Sequence, residues 1–448
     1  MISKKFSLII SKKINKFKKT ISVDSDKSIS IRSFLIGSIS QGISTLDNIL
    51  ESEDVFSTIE CLKKLGIKIK KIKIKKYKVF GKGLGSLSAK PNTSLNFGNS
   101  GTLARLLTGI ISSTPNLTLN LKGDHSLNKR NMMSLIKLLE NYGAEFTPKN
   151  KFYFPLKITS SNFPIGINYE AGSSAQLKSA AILAGLNSFG TTEIIEKNVS
   201  REHTENMLKN NKQAFKLSHK KIKKIQIFGK KYLNKFDIKV PGDPSSAAFF
   251  TALTLLNDNS NLVIRNVGLD SRRIGFYELL KKSGGKIKFR NLRKTNNERI
   301  GDIQVTSSKL KPIIASNKYY LNATDEYPIL FTLAALIKGK SSFDGISGLR
   351  NKESDRIKEM QKILRQIGIK SNFNKNRLVI NGSERKDYSK KIIKVSNLGD
   401  HRICMSSAIL ALLTGTNAVI KNFETVGTSS PNFLKIIKSV GGKFEKKY

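Results

Sequence analysis

The feature that most constrains this chain is a unit of helix, glycine and strand that recurs along its whole length. In each unit leucine and isoleucine recur at helical spacing, a glycine follows where left-handed backbone commonly ends a helix, and the next residues alternate as in a strand. The intervals between glycines are 77, 142, 83 and 74 residues, and the glycines are Gly66, Gly143, Gly285, Gly368 and the Gly441–Gly442 pair. The double interval implies a further unit near Ala214, so we predict six units of about 75 residues.

Six such units predict an α/β fold (α+β by some schemes) with two domains of three units each, because 448 residues exceed the usual size of one domain. The Pro-Gly-Asp-Pro sequence at 241–244 resembles a linker before a new helix. We therefore expect a first domain at 25–243 and a second formed by 1–24 plus 244–448. A strand at about 2–10 would complete the second domain, and the cleft between the domains is the expected place for an active site.

The charge of the chain is unusual, since 79 basic residues stand against 33 acidic ones and give a formal net charge of +46. Such a balance invites a nucleic-acid interpretation. However, only 16 of the basic residues are arginine, and the lysines are scattered over the whole length. No series of aromatic residues is interleaved with the basic runs, as base stacking would require. We therefore predict no nucleic-acid partner, and a basic nucleic-acid-binding protein is kept as an alternative.

The remaining composition excludes several other classes of protein. Cys61 and Cys404 are too few for a disulfide framework or a zinc site, and the four histidines lie far apart in the sequence. No apolar run approaches the ~20 residues of a membrane span, and the basic N-terminus lacks the apolar region of a signal peptide. We predict a cytoplasmic protein with no metal, no cofactor and no membrane association.

A loop rich in small residues precedes an apolar helix at 95–110 and is the first candidate for chemistry. It contains Gly98 and Gly101, and Arg105 lies one turn inside the helix. Free N–H groups and the helix dipole at such a position favour an anion. A capped surface helix would have the same pattern. If an anion binds here, the backbone at Gly101 approaches it closely, a side chain there obstructs it, and Arg105 braces the loop from inside the helix.

Six other segments place basic and hydroxyl side chains near a helix start, and a seventh, 322–330, places Asp325 and Glu326 there. Each could be only a helix cap or a solvated face. Together they favour two small polyanionic ligands held by lysine, arginine and helix dipoles. The segments are 26–32, 123–131, 171–178, 200–208, 322–330, 348–360 and 398–413.

In combination these segments resemble the 5-enolpyruvylshikimate-3-phosphate synthases, over nearly the whole chain from Asp26 to Pro431. The resemblance implies two inside-out α/β domains, each of three repeated β/α units, that close over the substrates. Two of the motifs resemble the bacterial subgroup called class II, namely Ser174-Ala175-Gln176-Leu177-Lys178 and Arg201-Glu202-His203-Thr204-Glu205. The other motifs are Asn99-Ser100-Gly101-Thr102, Asp325-Glu326-Tyr327-Pro328, Lys352-Glu353-Ser354-Asp355-Arg356 and Asp400-His401-Arg402.

The resemblance also implies a reaction of aromatic amino acid biosynthesis, in which phosphoenolpyruvate and shikimate 3-phosphate give 5-enolpyruvylshikimate 3-phosphate and phosphate by addition and elimination. It implies a monomer without metal or nucleotide, with Asp325 as the base and Glu353, near Lys27, as the acid. It assigns shikimate 3-phosphate to Lys27, Ser28, Arg32, Ser174, Ala175, Gln176, Ser200, Asp325 and Lys352. It assigns phosphoenolpyruvate to Lys27, Gly101, Arg130, Gln176, Arg356 and Arg402.

The sequence departs from the family pattern at several positions. Asp24-Ser25 replaces a Pro-Gly, Ile31 replaces a histidine, Asn131 replaces a proline after Arg130, and Thr428 stands where some members have a lysine. These changes question the first hinge and the rigidity of the Arg130 loop. The nearest alternative is the enolpyruvyl transferase that acts on UDP-N-acetylglucosamine, whose reactive cysteine follows a glycine in a first-domain loop. Here Asp124 follows Gly123, and Cys61 lies in a helical stretch typical of core.

Overall fold

The computed structural model describes residues 4–219, 222–384, 388, 390–396 and 398–448. Its α-helices, in chain order, are α1 (Lys27–Ile39), α2 (Glu53–Lys64), α3 (Gly101–Ser112), α4 (His125–Asn128), α5 (Met133–Glu140), α6 (Ala175–Gly185), α7 (His203–Leu208), α8 (Pro244–Leu256), α9 (Gly275–Lys282), α10 (Tyr320–Ala323), α11 (Tyr327–Leu336), α12 (Arg356–Gln366), α13 (His401–Thr414) and α14 (Phe433–Ser439). Short 3₁₀ turns lie at Asn317–Tyr319, Ser347–Asn351 and Phe423–Thr428.

The strands alternate with these helices along the chain. In order they are β1 (Ser7–Ile10), β2 (Lys18–Ile21), β3 (Gln41–Asp47), β4 (Lys68–Lys73), β5 (Lys76–Lys82), β6 (Thr93–Asn96), β7 (Thr118–Lys122), β8 (Glu145–Thr147), β9 (Leu156–Thr159), β10 (Asn168–Ala171), β11 (Thr191–Glu196), β12 (Phe215–His219), β13 (Lys223–Phe228), β14 (Asp237–Lys239), β15 (Asn261–Gly268), β16 (Lys286–Thr295), β17 (Glu298–Thr306), β18 (Ile314–Ala315), β19 (Gly339–Asp344), β20 (Lys370–Asn374), β21 (Arg377–Gly382), β22 (Ile392–Val395), β23 (Asn417–Ile420) and β24 (Glu445–Lys447).

The described strands form six four-stranded sheets that share one design. In the sheet β6-β7-β9-β8, for example, β6 and β7 are parallel, whereas β7–β9 and β9–β8 are antiparallel. The parallel pair needs a helical crossover, whereas the antiparallel pairs need only short connections. The six-unit prediction from the glycine spacing is therefore confirmed. The other sheets are β14-β3-β5-β4, β10-β11-β13-β12, β16-β17-β15-β2, β18-β19-β21-β20 and β22-β23-β1-β24.

The chain divides into two compact units, and each contains three of these sheets. The first unit comprises Ser25–Val240 with Thr295–Glu298. The second unit comprises Met1–Asp24, Pro241–Lys294 and Arg299–Tyr448. Strand β1 begins only at Ser7, later than the sequence suggested, and residues 1–3 lie outside the described residues. It stays a prediction that the two units are domains, with boundaries at 25–243 and at 1–24 plus 244–448.

Each unit places helices inside and sheets outside. In the first unit α1, α3 and α6 are buried along almost their whole length. Helices α3 and α6 pack closely at Gly109, which has no side chain. A Cβ at this position would lie only 2.7 Å from the carbonyl oxygen of Ala180. In the second unit α8, α11 and α13 occupy the same place. Helices that are apolar on all sides suit such a position, since each buried leucine or phenylalanine contributes ~1.5–3 kcal/mol.

The repeated glycines end the outer helices as expected, with one correction. Gly66 has a φ of +81°, and the next N–H, that of Ile67, donates to the carbonyl of Leu62 at 3.0 Å. In the fourth unit the residue with positive φ, +93°, is Gly284 and not Gly285. In the third unit α7 ends at Leu208, and a longer turn separates it from the buried Ala214. This turn makes a glycine unnecessary there.

Candidate active site

The predicted motifs lie at the starts of the central helices because their serine and aspartate side chains cap those helices. The carboxylate of Asp26 accepts from the N–H of Ile29 at 2.8 Å at the start of α1. Ser100 and Ser174 cap α3 and α6 in the same way, and Asp400 caps α13. A capping oxygen satisfies one of the free N–H groups of the first turn and leaves the others directed outward. These four helix starts therefore favour an anion.

In the first unit, Arg105 connects the starts of α3 and α6. Its Nη1 donates to the carbonyl of Gly101 at 3.1 Å and to Oε1 of Gln176 at 3.0 Å. The amide of Gln176 in turn donates to Oγ1 of Thr102 at 3.0 Å. Two predicted substrate residues, Gly101 and Gln176, are thus brought together, and Arg105 acts as the expected brace.

The Gly101 loop is also packed against Arg130. Nη2 of Arg130 donates to Oδ1 of Asn99 and, at 3.3 Å, to Oγ of Ser126. A Cβ on Gly101 would lie 2.8 Å from Nη1 of Arg105 and 3.1 Å from Nη1 of Arg130. A side chain at Gly101 would therefore displace these guanidinium groups, which sharpens the expectation that it obstructs an anion there.

Lys27 and Arg32, both on α1, have partners that the sequence did not reveal. Nζ of Lys27 lies 3.0 Å from the carboxylate of the buried Asp54. Arg32 is buried, and it donates to Oγ1 of Thr204 at 2.9 Å and to Oγ of Ser179 at 3.2 Å. It also donates to the carbonyl of Ser28 at 3.0 Å. Neither Asp54 nor Ser179 stands in a motif that marks it as a partner.

Among the described residues, Ser200 makes no hydrogen bond to another predicted substrate residue. Its N–H and its hydroxyl both donate to Oε1 of Glu196, at 3.1 and 2.8 Å. A hydroxyl that donates its one hydrogen keeps only its acceptor capacity. Toward a ligand, Ser200 in this conformation can accept a hydrogen bond and cannot donate one. Ser174 differs, because its hydroxyl oxygen accepts from the N–H of Leu177 and keeps its hydrogen.

In the second unit, Arg356 gathers the predicted carboxylates around one buried guanidinium. Its Nε donates to Asp400 at 3.0 Å and its Nη2 to Glu353 at 2.6 Å, while Nη1 lies 3.7 Å from the carboxylate of Asp325. Burial lowers the pKa of Arg356, but these three carboxylates more than offset that effect, and the pKa is raised. The base candidate, the acid candidate and a predicted ligand of phosphoenolpyruvate are thus within one cluster. Lys352 directly precedes Glu353 in the chain, in the segment before α12.

Arg402 lies in the first turn of α13 and is buried. Within the described residues, its Nε and Nη1 have no hydrogen-bond partner, and its guanidinium carbon lies 5.9 Å from the ring centre of Phe249. Nη1 of Arg356 likewise makes no hydrogen bond among the described residues, although it lies 3.7 Å from the carboxylate of Asp325. Buried cationic donors without acceptors are costly, so they favour a ligand that supplies oxygen atoms. A carboxylate or phosphate fits this requirement.

A further polar group, which no sequence motif predicted, surrounds Glu326, the neighbour of Asp325. Glu326 is buried and accepts a short hydrogen bond from Oγ of Ser245. Nη2 of the buried Arg273 donates to Asp243 at 3.0 Å and to Ser245 at 3.1 Å. This group ties the starts of α8 and α11 together, and so helps to fix the position of Asp325.

The departures from the family pattern have structural substitutes. The carboxylate of Asp24 accepts hydrogen bonds from Ser430 at 3.0 Å and from the N–H of Asn432 at 2.9 Å. Oδ1 of Asn131 accepts from the N–H of Met133 at 2.7 Å at the start of α5. Ile31 is part of the core, and the hydroxyl of Thr428 donates to a local carbonyl. Hydrogen bonds therefore hold the two segments whose rigidity the sequence questioned.

Other chemistries find little support in the described part of the chain. Burial raises the pKa of the Cys61 thiol to about 12, which makes it a poor nucleophile. Asp124 caps α4 and accepts from Nδ2 of Asn99 at 3.0 Å. Across the described ranges, no three His, Cys, Asp or Glu side chains are grouped to hold a metal ion. None of the helices described is both long and apolar enough to cross a membrane.

Comparison with known proteins places the chain in one family. The model of EPSP synthase (3-phosphoshikimate 1-carboxyvinyltransferase) matches residues 11–437. A 3-phosphoshikimate 1-carboxyvinyltransferase of Zymomonas mobilis is 36% identical over 441 residues, which cover 98% of this chain and 97% of the relative. The structure of EPSP synthase from Acinetobacter baumannii matches with a TM-score of 0.85 and 33% identity, covering 99% of this chain and all of that one.

A more distant structure shares the fold alone. The enolpyruvyl transferase NikO from Streptomyces tendae matches with a TM-score of 0.76 but only 12% identity, covering 99% of both chains. This chain thus shares its fold with NikO, whereas its sequence matches the EPSP synthases. The chain belongs to the EPSP synthase family, the shikimate-pathway transferases that move the enolpyruvyl group of phosphoenolpyruvate to shikimate 3-phosphate.

Proposed function

We propose that this chain transfers the enolpyruvyl group of phosphoenolpyruvate to the 5-hydroxyl of shikimate 3-phosphate, with the motif residues of both units as its binding and catalytic groups. The observation that carries the proposal is a pair of buried arginines, Arg356 and Arg402, each with donors that make no hydrogen bond among the described residues. Arg356 also lies beside Asp325 and Glu353, two carboxylates suited to proton transfer. Such an arrangement suits anionic substrates that exchange protons during the reaction.

The addition step needs a base for the 5-hydroxyl, and Asp325 is proposed for it. Its side chain is a quarter exposed, and its carboxylate lies 3.7 Å from Nη1 of Arg356. A neighbouring guanidinium favours the ionised carboxylate, which is the form able to take a proton. The oxygen of the substrate then attacks C2 of phosphoenolpyruvate, and a tetrahedral intermediate forms.

The same step needs an acid that delivers a proton to the methylene carbon, C3, of phosphoenolpyruvate. Glu353 is proposed for this transfer, assisted by Lys27. Glu353 is fixed by the 2.6 Å hydrogen bond from Arg356, and Lys27 by the ion pair with Asp54. In the elimination step the proton returns to Glu353 and phosphate leaves, so that one acid–base group serves both directions.

Cations and amides hold the substrates in the proposed arrangement. Lys27, Gly101, Arg130, Gln176, Arg356 and Arg402 are assigned to phosphoenolpyruvate. Lys27, Ser28, Arg32, Ser174, Ala175, Gln176, Ser200, Asp325 and Lys352 are assigned to shikimate 3-phosphate. Within the second set, the hydrogen of Ser174 suits an acceptor such as phosphate, whereas Ser200 suits a hydroxyl donor of the substrate.

A coupled assay tests the proposed reaction. Purified protein should release phosphate only when phosphoenolpyruvate and shikimate 3-phosphate are both present, and neither substrate alone should suffice. Replacing shikimate 3-phosphate by UDP-N-acetylglucosamine should give no phosphate. Release with the nucleotide sugar, or release from phosphoenolpyruvate alone, would contradict the assignment.

We further propose that the protein is a cytoplasmic monomer whose lysines do not form a nucleic-acid-binding face. Strand β4, at the edge of its sheet, contains four lysines and two isoleucines, of which Ile69 is half-buried and Ile72 exposed, a composition typical of a solvated edge strand. Sedimentation at micromolar concentration should give one species near 50 kDa, consistent with the chain mass of 49.8 kDa. Tight and steeply salt-dependent binding of DNA or RNA would overturn the second statement.

A further inference from the structure

The first unit contains four ionic side chains that are closed to solvent and lie apart from the proposed chemistry. We call Lys178, Glu196, Glu205 and Lys223 the ion cluster. Nζ of Lys178 lies 2.9 Å from Glu196 and 2.6 Å from Glu205. Nζ of Lys223 lies 2.9 Å from Glu196 and 3.0 Å from Glu205. Each lysine thus meets both carboxylates, and the four charges balance.

The ion cluster joins four elements that are distant in the sequence. Lys178 lies in the first turn of α6, two residues after Gln176, and Glu196 ends β11. Glu205 lies in α7 and Lys223 begins β13. At the edge of the cluster, Glu202 lies 2.7 Å from Nζ of Lys223. Through these side chains the start of α6 and the segment that leads into α7 are tied together.

The lysines keep the cluster ionised despite its burial. Burial raises the pKa of Glu196, but Lys178 and Lys223 outweigh it, and the pKa is lowered. Burial lowers the pKa of Lys223, but Glu205, Glu202 and Glu196 outweigh it, and the pKa is raised. The side chains are at most 1% exposed, so the cluster cannot contact a substrate. A buried ion pair is a poor source of stability but a good source of fixed geometry.

One member has a contact that the others lack. Glu196 accepts both hydrogen bonds of Ser200, from its N–H and its hydroxyl, with the same oxygen that faces Lys178. Glu205 makes the same ion pairs with the two lysines, but no hydrogen bond with Ser200 is found among the described residues. The two glutamates are therefore a matched pair that differs in this contact.

We propose that Glu196 is a positioning residue for shikimate 3-phosphate, which fixes the Ser200 segment by accepting from Ser200 while Lys178 and Lys223 hold it in place. The inference rests on the proposed function, in which Ser200 and Gln176 hold shikimate 3-phosphate. It goes beyond that assignment because Glu196 acts from inside the first unit without touching the substrate.

The test compares Glu196→Gln with Glu205→Gln. Each variant removes one carboxylate from the same two lysines, but only the first weakens the anchor of Ser200, since one amide oxygen cannot serve Ser200 and both lysines. Glu196→Gln should raise Kd and KM for shikimate 3-phosphate about tenfold, with kcat changed less than about threefold. Both variants should lower the melting temperature by a similar amount. Glu205→Gln should change Kd for shikimate 3-phosphate less than about threefold. An equal rise in Kd for both variants, or no rise for Glu196→Gln, would overturn the proposal.

Two further variants keep the test decisive. Gln176→Ala reports on the binding assignment itself, and unchanged affinity for shikimate 3-phosphate there would overturn the proposed function rather than the role of Glu196. If Glu196→Gln does not fold, Glu196→Asp replaces it, because it keeps the negative charge between the two lysines but shortens the reach to Ser200. That variant should also raise Kd for shikimate 3-phosphate about tenfold, and an unchanged Kd would contradict the proposal.

Discussion

The two units each bury a set of strong ionic interactions, but the two sets differ in how far their carboxylates are open to solvent. In the ion cluster of the first unit every lysine meets two carboxylates, and the side chains of Lys178 and Glu196 are 0% exposed. In the second unit Arg356 is 1% exposed, yet two of its carboxylates remain open, with Asp325 at 25% and Glu353 at 20%. Nearby, Nε and Nη1 of Arg402 are buried without a hydrogen-bond partner among the described residues.

Burial and charge alone therefore do not identify a catalytic site. A cluster that is closed to solvent cannot be reached by a ligand, so it can act only on neighbouring protein groups. An open cluster with unmatched donors has capacity for oxygen atoms that the protein does not supply. The proposed base Asp325 and the proposed acid Glu353 belong to this open cluster, whereas the role proposed for the ion cluster is to fix geometry.

The largest effect that would sharpen this comparison is expected for Arg402→Gln. Removing the guanidinium takes away the unmatched donors that favour the phosphoenolpyruvate anion, and the KM for phosphoenolpyruvate should rise about 100-fold. Arg402→Lys should restore little, because an ammonium cannot reproduce the planar fork. Steady-state kinetics at saturating shikimate 3-phosphate measures both variants, with the exposed Arg377→Gln as control. An unchanged KM would show that the unmatched donors have no ligand.

The ion cluster should instead affect stability, and in a pH-dependent way. Glu196→Gln should lower the free energy of unfolding by about 3 kcal/mol at neutral pH, because it leaves buried lysine charge uncompensated. The pKa of Glu196 is lowered from 4.5 on folding, so its contribution is present above pH 4.5 and is lost as the pH falls through the folded pKa. The pKa of Lys223 is raised from 10.5, so its contribution is lost only as the pH rises above that value.

Urea unfolding of the wild type and Glu196→Gln across this range provides the measurement. The difference in the free energy of unfolding between the wild type and Glu196→Gln should be constant from about pH 6 to pH 9 and should narrow below about pH 4.5. A difference that grows on acidification would mean that Glu196 is protonated in the folded protein.

A smaller effect is expected at the Gly101 loop. Gly101→Ala should raise the KM for phosphoenolpyruvate about tenfold, because the new Cβ displaces the guanidinium groups of Arg105 and Arg130. Gly172→Ala is the matched control, since a Cβ there meets no atom within 4 Å. The rise should concern phosphoenolpyruvate more than shikimate 3-phosphate. Equal kinetics for both variants would show that the two arginines adjust without consequence.

The smallest effect concerns a departure from the family pattern. Asn131→Ala removes the hydrogen bond to the N–H of Met133 and should cost about 1 kcal/mol of stability. Asn131→Pro, the residue usual in the family, should be tolerated, because it restricts the same turn covalently. Thermal unfolding of the two variants distinguishes these outcomes. A larger loss of stability for Asn131→Pro than for Asn131→Ala would contradict the view that the hydrogen bond of Asn131 replaces the proline.

Local signals made much of this protein predictable from its sequence. Helix starts carry their own caps, so Ser100, Ser174 and Asp400 marked where the motifs lie. Periodic leucines with a terminal glycine revealed the six units, although adjacent glycines concealed that Gly284 and not Gly285 ends the helix. Such features depend on a few neighbouring residues, and a single sequence contains them in full.

Partners that are distant in the chain could not be predicted. Asp54 is recognisable as the partner of Lys27 only once α1 and α2 pack together. Glu196 and Lys223 are ordinary residues at the ends of strands, and no spacing marks them as a buried pair. The departure at Asp24 also became interpretable only in three dimensions, where Ser430 and Asn432 hydrogen-bond to it.

The central claim is that proton transfer is carried out by the open cluster of the second unit and not by the closed cluster of the first. Single-turnover phosphate release at saturating concentrations of both substrates tests it, with Asp325→Ala and Glu205→Gln compared as folded proteins. Asp325→Ala should be slower than the wild type by about 10²–10⁴-fold, and Glu205→Gln should stay within about threefold. A near-normal rate for Asp325→Ala, or equal losses in both variants, would contradict the claim.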